Sequence, residues 1–273
     1  MIKSGSFRKI LCLIGIIISA TVILAAFGRM ARNVSKPSVA EVVFLGDSIY
    51  GNYRGDSSIS GVFGYRAGVS TLNVGMGGTT AALTQDSPRS EIPEDSVALV
   101  SIAEAIYSND YSIQHSAMPT RRCGALTYFP MVIDEIEAVD LSKAKLFIVE
   151  QALNDYFYGW PIDDTDKNDG EYDLHSYYGS ISYSIELIKA KYPDAKILLV
   201  SPVYGQADLN DYAKMGQKIA KEQDIYFFDA FNANIITPDN YEELTEDGVH
   251  LNENGRELYA DSLYNYCVET GLL

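Results

Sequence analysis

The chain has 273 residues, 21 basic and 37 acidic, with three Cys, three His and 47% hydrophobic residues. That length fits one large α/β domain or two small ones, and that composition excludes a disordered, collagen-like or multi-pass membrane chain. Every acidic residue lies beyond Gly28, where 18 basic residues face 37 acidic ones for a net charge of −19, so the surface repels phosphate backbones and argues against nucleic-acid binding.

The amino terminus opens on an 18-residue apolar run, Ile10–Phe27, preceded by Lys3, Arg8 and Lys9. The run reaches the lower limit for a membrane-spanning helix. It is also longer than the apolar region of a cleaved signal, about 7–15 residues, and Ala26-Phe27-Gly28 is a mediocre cleavage site. Residues 1–28 are therefore expected to form an uncleaved signal-anchor, with a cleaved signal peptide and a secreted protein as the alternative. Arg29, Arg32 and Lys36 flank the other side of the run, so charge alone orients it weakly. The short basic tail and the acidic, Tyr-rich remainder favour a folded domain outside the cytoplasm. Residues 29–40 are small and polar and read as a linker. Residues 41–273 contain no Pro/Gly/Ser-rich break and no internal repeat, and read as one domain.

Within that domain, Val42–Leu45, Leu72–Val74, Leu146–Val149, Ile197–Val200 and Ile225–Phe228 are short continuous apolar runs, the pattern of buried parallel strands. Helical patterns fall between and after them, over Val97–Ile106, Met131–Val139, Tyr212–Ala220 and Leu258–Val268. Another carries Ile181, Ile185 and Ile188 at i, i+4, i+7 and ends before Pro193. Alternating strands and helices predict a three-layer α/β/α sandwich around a mostly parallel five-stranded sheet.

Ligands of such sheets bind at the carboxyl ends of the strands. Those ends are followed here by Gly46-Asp47-Ser48, by Gly75-Met76-Gly77-Gly78, by Asn154-Asp155 and by Ser201-Pro202, and Asp247-Gly248-Val249-His250 precedes the last helix. Acyl transfer needs a nucleophile, a base, a carboxylate to orient the base and donors for an oxyanion. Ser48, just past a strand, qualifies as nucleophile, and its own N–H as one donor. Gly78, lacking a Cβ, lets backbone approach a substrate closely and offers a second. Asn154 offers a third from its side chain, and Asp155 reads as a helix N-cap. Asp247 and His250, three residues apart on a turn, can share one side. His115 and His175 have weaker claims, lying in a polar stretch and behind the acidic Asp163–Asp173 loop. No Cys pair has metal or redox spacing. Cys123 and Cys267 could form a disulfide, although two partly buried thiols are the expectation.

Taken in order, Gly46-Asp47-Ser48-Ile49, Asn73-x-Gly75-x-x-Gly78, Asn154-Asp155 and Asp247-x-x-His250 resemble the four motif blocks of the SGNH (GDSL-type) hydrolases, from about Val42 to the carboxyl terminus. The resemblance implies a flavodoxin-like fold and no metal or organic cofactor. It implies Ser48 as nucleophile, His250 as base, Asp247 as its partner, and Ser48, Gly78 and Asn154 as oxyanion donors. Three positions depart from the family pattern. Ile49 replaces Leu, conserving volume. Gly77 stands where Ser is frequent. Ala152-Leu153 replaces the commoner Gly-Thr, which could shift the loop before Asn154.

The expected activity is serine-esterase removal of short acyl groups, acetyl foremost, from an extracellular carbohydrate. Tyr156, Phe157, Tyr158 and Trp160 follow Asn154 closely, with Tyr172, Tyr177 and Tyr178 further on, and aromatic faces can stack on sugar rings. A lysophospholipase, a thioesterase or an acyltransferase would use the same constellation. The non-enzyme alternative is an idle glycan-binding module. Expected partners are an acylated polysaccharide or other small ester, and a membrane through the amino-terminal segment.

Overall fold

Val42–Gly46 is buried along its whole length, and it stays apolar because helices cover both faces of the sheet it begins. The computed structural model describes residues 38–84, 89, 93–117, 128–163, 172–203 and 209–273. In it this run is β1, joined by β2 (Thr71–Asn73), β3 (Leu146–Glu150), β4 (Lys196–Val200) and β5 (Tyr226–Phe228). All pairings are parallel and the order is β2-β1-β3-β4-β5. The register sets Gly46 against Glu150 and Glu150 against Val200, so the carboxyl ends of the three inner strands form one rim.

The strand order dictates the layers. The chain moves outward from β1 to β2, then turns back across β1 to β3, β4 and β5. Right-handed crossovers put the β1–β2 helix on one face and the later crossover helices on the other. Accordingly, Ile59–Ala67 packs against the carboxyl-terminal helix Glu253–Glu269. Tyr177–Lys191 packs against both Leu99–Ser108 and Asn210–Gln223. The direction reverses between β1 and β3, the point at which such sheets open a crevice. Ser48 and Asn154 follow these two strands.

The three-layer α/β/α architecture is the one expected from the apolar runs. Helices expected at Val97–Ile106, Met131–Val139, Tyr212–Ala220 and Leu258–Val268 run over Leu99–Ser108, Phe129–Ala138, Asn210–Gln223 and Glu253–Glu269. The Ile181/Ile185/Ile188 stripe lies buried on Tyr177–Lys191. One long helix, Ile59–Ala67, had no apolar period to announce it because Gly61 and Gly64 interrupt the stripe. Both glycines are contact points: a Cβ on Gly61 would lie 2.2 Å from the Gly55 carbonyl oxygen, and one on Gly64 2.9 Å from the Thr71 methyl.

The expected signal-anchor (1–28), nearly all of the linker (29–40) and Cys123 lie outside the described residues. Cys267 is a buried thiol whose pKa burial pushes up to about 12, so it stays protonated and inert.

Candidate active site

Ser48 begins the one-turn helix Ser48–Gly51, which starts directly after β1. Asp47 caps that turn, its Oδ1 accepting from the Ile49 N–H at 2.9 Å. Gly51 and Gly75 sit back to back behind it. A Cβ on Gly51 would fall 2.5 Å from the Gly75 carbonyl oxygen, so only glycines let the two motif backbones touch. Asn73 fixes the same junction, donating to the Tyr50 carbonyl at 2.7 Å and accepting from the Gly75 N–H at 2.9 Å.

His250 arrives on a hairpin pinched by Glu246 N–H to His250 C=O (2.8 Å) and Asn252 N–H to Leu244 C=O (2.9 Å). Its Nδ1 lies 2.6 Å from Asp247 Oδ2, and its Nε2 lies 3.0 Å from Ser48 Oγ. An ionised carboxylate can only accept, so Nδ1 carries the ring proton and Nε2 is left to accept from the serine hydroxyl. Desolvation raises the Asp247 pKa, but hydrogen bonds from the His250 ring and from the His250 and Val249 amides outweigh it and hold the carboxyl at about 2. The Asp247 carboxylate is therefore ionised above about pH 2.

The expected oxyanion donors come from separate segments that meet at the rim. Gly78 has φ +78, in the left-handed region that glycine adopts freely, with nothing within 4 Å of a notional Cβ. Neither its N–H nor that of Ser48 has a hydrogen-bond partner among the described residues. Asn154 reaches the same rim, its Nδ2 donating to the Thr79 carbonyl at 2.8 Å and lying 3.4 Å from Asp47 Oδ2.

Asp155 is not the helix N-cap. The helix Leu153–Tyr158 starts from Ala152 without a side-chain cap, and Asp155 is instead fully buried, accepting from the Ala81 and Ala82 amides. It ties the segment carrying Asn154 to the loop carrying Gly78. Burial pushes it up to about 6, with the Ala81 and Ala82 amides offsetting part of that. Ala152 itself has φ +155, a conformation that favours glycine, which is why a Gly is the commoner residue there.

Sequence reasoning missed other supports. Tyr128 Oη accepts from the Gly77 N–H at 2.7 Å, and a Cβ on Gly77 would crowd Asn52 Oδ1 at 2.7 Å. Glycine at that departure thus leaves room for its neighbours. Arg54, largely buried, donates to the Asn73 and Gly75 carbonyls and pairs with Glu135. Neither residue lies in a motif block, so neither carried a signal. Beneath the rim, Glu150 is fully buried and neither oxygen has a hydrogen-bond partner among the described residues. Burial raises its pKa well above the ordinary range, and the charge of Asp47 adds to the effect.

Of the aromatic residues, Tyr156, Phe157 and Tyr158 are exposed on the helix that carries Asn154, and Trp160 stacks on Tyr158 at 6.2 Å. Tyr177 does not join them, being core, with its hydroxyl donating to the Gln151 carbonyl. Tyr172 and Tyr178 are tied to Glu186 and Glu222.

Fold and family define a hydrolase of ester bonds. The chain belongs to the GDSL-like lipase/acylhydrolase family, whose sequence model matches residues 44–258. Among solved structures it is similar to a protein from Lactobacillus plantarum (15% identity, 85% of this chain and 98% of that one, TM-score 0.59). It is also similar to a possible lipase from Chitinophaga pinensis (17% identity, 85% and 99%, TM-score 0.55). A third is a family two carbohydrate esterase from Clostridium thermocellum in complex with cellohexaose (14% identity, 87% and 66%, TM-score 0.50). At these identities the likeness is one of fold. No curated protein matches the chain.

Proposed function

We propose that the chain is a serine esterase that removes short acyl groups, acetyl foremost, from a carbohydrate outside the cytoplasm, held at the membrane by residues 1–28. The observation that carries the catalytic part is the unbroken relay Ser48 Oγ–His250 Nε2 (3.0 Å) and His250 Nδ1–Asp247 Oδ2 (2.6 Å). Ser48 Oγ attacks the ester carbonyl carbon while its proton passes to His250 Nε2. The N–H groups of Ser48 and Gly78 receive the oxyanion. The second N–H of Asn154, only loosely engaged at 3.4 Å, turns to join them. Asp247, ionised above about pH 2, stabilises the imidazolium. The imidazolium returns its proton to the leaving alkoxide and the alcohol departs. Water then attacks the acyl-serine, giving its proton to His250, and the acid leaves as Ser48 is restored.

Carbohydrate is favoured by the exposed aromatic row beside Asn154, which offers flat apolar faces to sugar rings. The similar fold of a carbohydrate esterase whose structure was determined in complex with cellohexaose agrees with that reading. The strong negative charge disfavours anionic lipids and polyphosphates.

The test compares the full chain in detergent on 4-nitrophenyl acetate, butyrate and octanoate and on acetylated cello- and xylo-oligosaccharides. The account expects acetate to be fastest, and Tyr158→Ala and Trp160→Ala to weaken oligosaccharide turnover while leaving 4-nitrophenyl acetate unchanged. A preference for octanoate would replace the carbohydrate reading with a lipid or thioester one.

A further inference from the structure

Among the described residues, two side-chain hydrogen bonds join the segment from Ser48 onward to the hairpin carrying His250 and the helical turn behind it. One is the Ser48–His250 bond itself. The other comes from Arg256, in the first turns of the carboxyl-terminal helix. This side chain is buried, an unusual place for a guanidinium in the absence of specific partners. Its Nε donates to the Ser57 carbonyl at 2.9 Å, on the loop that follows the nucleophile turn. Its Nη1 donates to the Leu251 carbonyl at 2.8 Å, the residue after His250. The guanidinium carbon lies over the Tyr53 ring, 3.5 Å from the centroid. Glu246, at the foot of the hairpin, stands 4.0 Å from Nη1, and its carboxylate beside Tyr53 raises the tyrosine pKa.

The hairpin's own bonds hold Asp247 on His250, but they do not set how far His250 stands from Ser48. Arg256 spans that gap directly, one rigid fork gripping a carbonyl on each side of it. We propose that Arg256 is a positioning residue for proton transfer from Ser48 to His250. It fixes the reach between the nucleophile loop and the base hairpin without touching the substrate. The proposal rests on the reading of Ser48 and His250 as nucleophile and base. It does not depend on which ester is the natural substrate. A displacement of about 1 Å at such a contact costs on the order of 100-fold in rate. Lysine cannot replace the fork, since its single ammonium neither bridges the two carbonyls in one plane nor stacks on Tyr53 in the same way.

The experiment measures the second-order rate of Ser48 phosphorylation by diisopropyl fluorophosphate, fluoride leaving, followed by intact mass on folded protein well below its melting temperature. Arg256→Met is expected to slow the reaction about 10- to 100-fold and Arg256→Lys about 3- to 10-fold. The downfield His250 Nδ1 proton resonance, which reports the Asp247 contact, stays in place in both. Arg66→Met, which removes an exposed arginine paired with Asp261 and Glu257 of the same carboxyl-terminal helix, leaves the rate unchanged. Wild-type rates in folded Arg256→Met and Arg256→Lys would overturn the proposal. So would loss of the Nδ1 resonance together with activity, because that would make Arg256 a support of the hairpin itself. If Arg256→Met does not fold, Arg256→Lys decides. Failure of wild-type Ser48 to be phosphorylated by the reagent would instead remove the catalytic reading beneath it.

Discussion

Asp155 accepts from the Ala81 N–H through both carboxylate oxygens, at 2.9 and 3.1 Å, across 74 residues of sequence. With a third bond from Ala82 at 3.0 Å, it fastens the loop bearing Gly78 to the segment bearing Asn154. The two segments proposed to supply the outer oxyanion donors are thus built on one buried support. Asp155→Asn keeps one acceptor and turns an NH2 toward a backbone N–H. The expected result is a kcat lowered roughly tenfold or more, with a stability loss of about 1–3 kcal/mol. Steady-state kinetics and chemical denaturation check both. An unchanged kcat would mean that the loop holds Gly78 unaided.

Ala152 sits beside that support at φ +155 and is fully buried, so its methyl group is held in a conformation meant for glycine. Such strain costs on the order of 1–3 kcal/mol. Glycine would release it while adding about 0.5–1 kcal/mol of unfolded-state entropy. Ala152→Gly is therefore expected to stabilise the protein by about 1 kcal/mol and raise Tm by roughly 2–4 °C. A lower Tm would mean that packing of the methyl outweighs the strain.

Glu150 lies buried with no hydrogen-bond partner for either oxygen among the described residues, and Asp155 is pushed from 3.8 to about 6. An acid whose pKa rises on folding contributes stability that is fully present below its unfolded pKa and is lost as pH climbs through the folded one. For Asp155 that window runs from 3.8 to about 6, and for Glu150 it begins at 4.5 and extends upward. Asp247 acts in the opposite sense, but only between 3.8 and about 2. Stability should therefore fall between pH 4.5 and pH 8. Glu150→Gln, which mimics the neutral acid, should melt like wild type at pH 4.5 and higher than wild type at pH 8. Equal melting temperatures at pH 8 would show that Glu150 ionises in place without penalty.

Much of this was legible in the sequence, and the reason is the same in each case. The five strands were visible because burial on both faces leaves continuous apolar runs such as Leu146–Val149. The proximity of Ser48, Asp247 and His250 was foreshadowed by motifs that fall in chain order after β1 and before the last helix. What escaped notice depends on distant partners. Asp155 looked like a cap because its amides lie 73 and 74 residues away. Arg256 is one residue within a helix until Ser57 and Tyr53 fold beneath it. The helix Ile59–Ala67 was hidden by Gly61 and Gly64, whose bare faces carry meaning only once the backbone they touch is in place.

The central claim is that Ser48 carries the acyl group with His250 as its base. The most direct measurement mixes the protein with 4-nitrophenyl acetate, quenches in acid within the first turnover, and maps the acetylated peptide by mass spectrometry. The account predicts a burst of nitrophenolate with the acetyl group on Ser48, and neither burst nor adduct in Ser48→Ala. An acetyl group on another residue, or full turnover in Ser48→Ala, would contradict it.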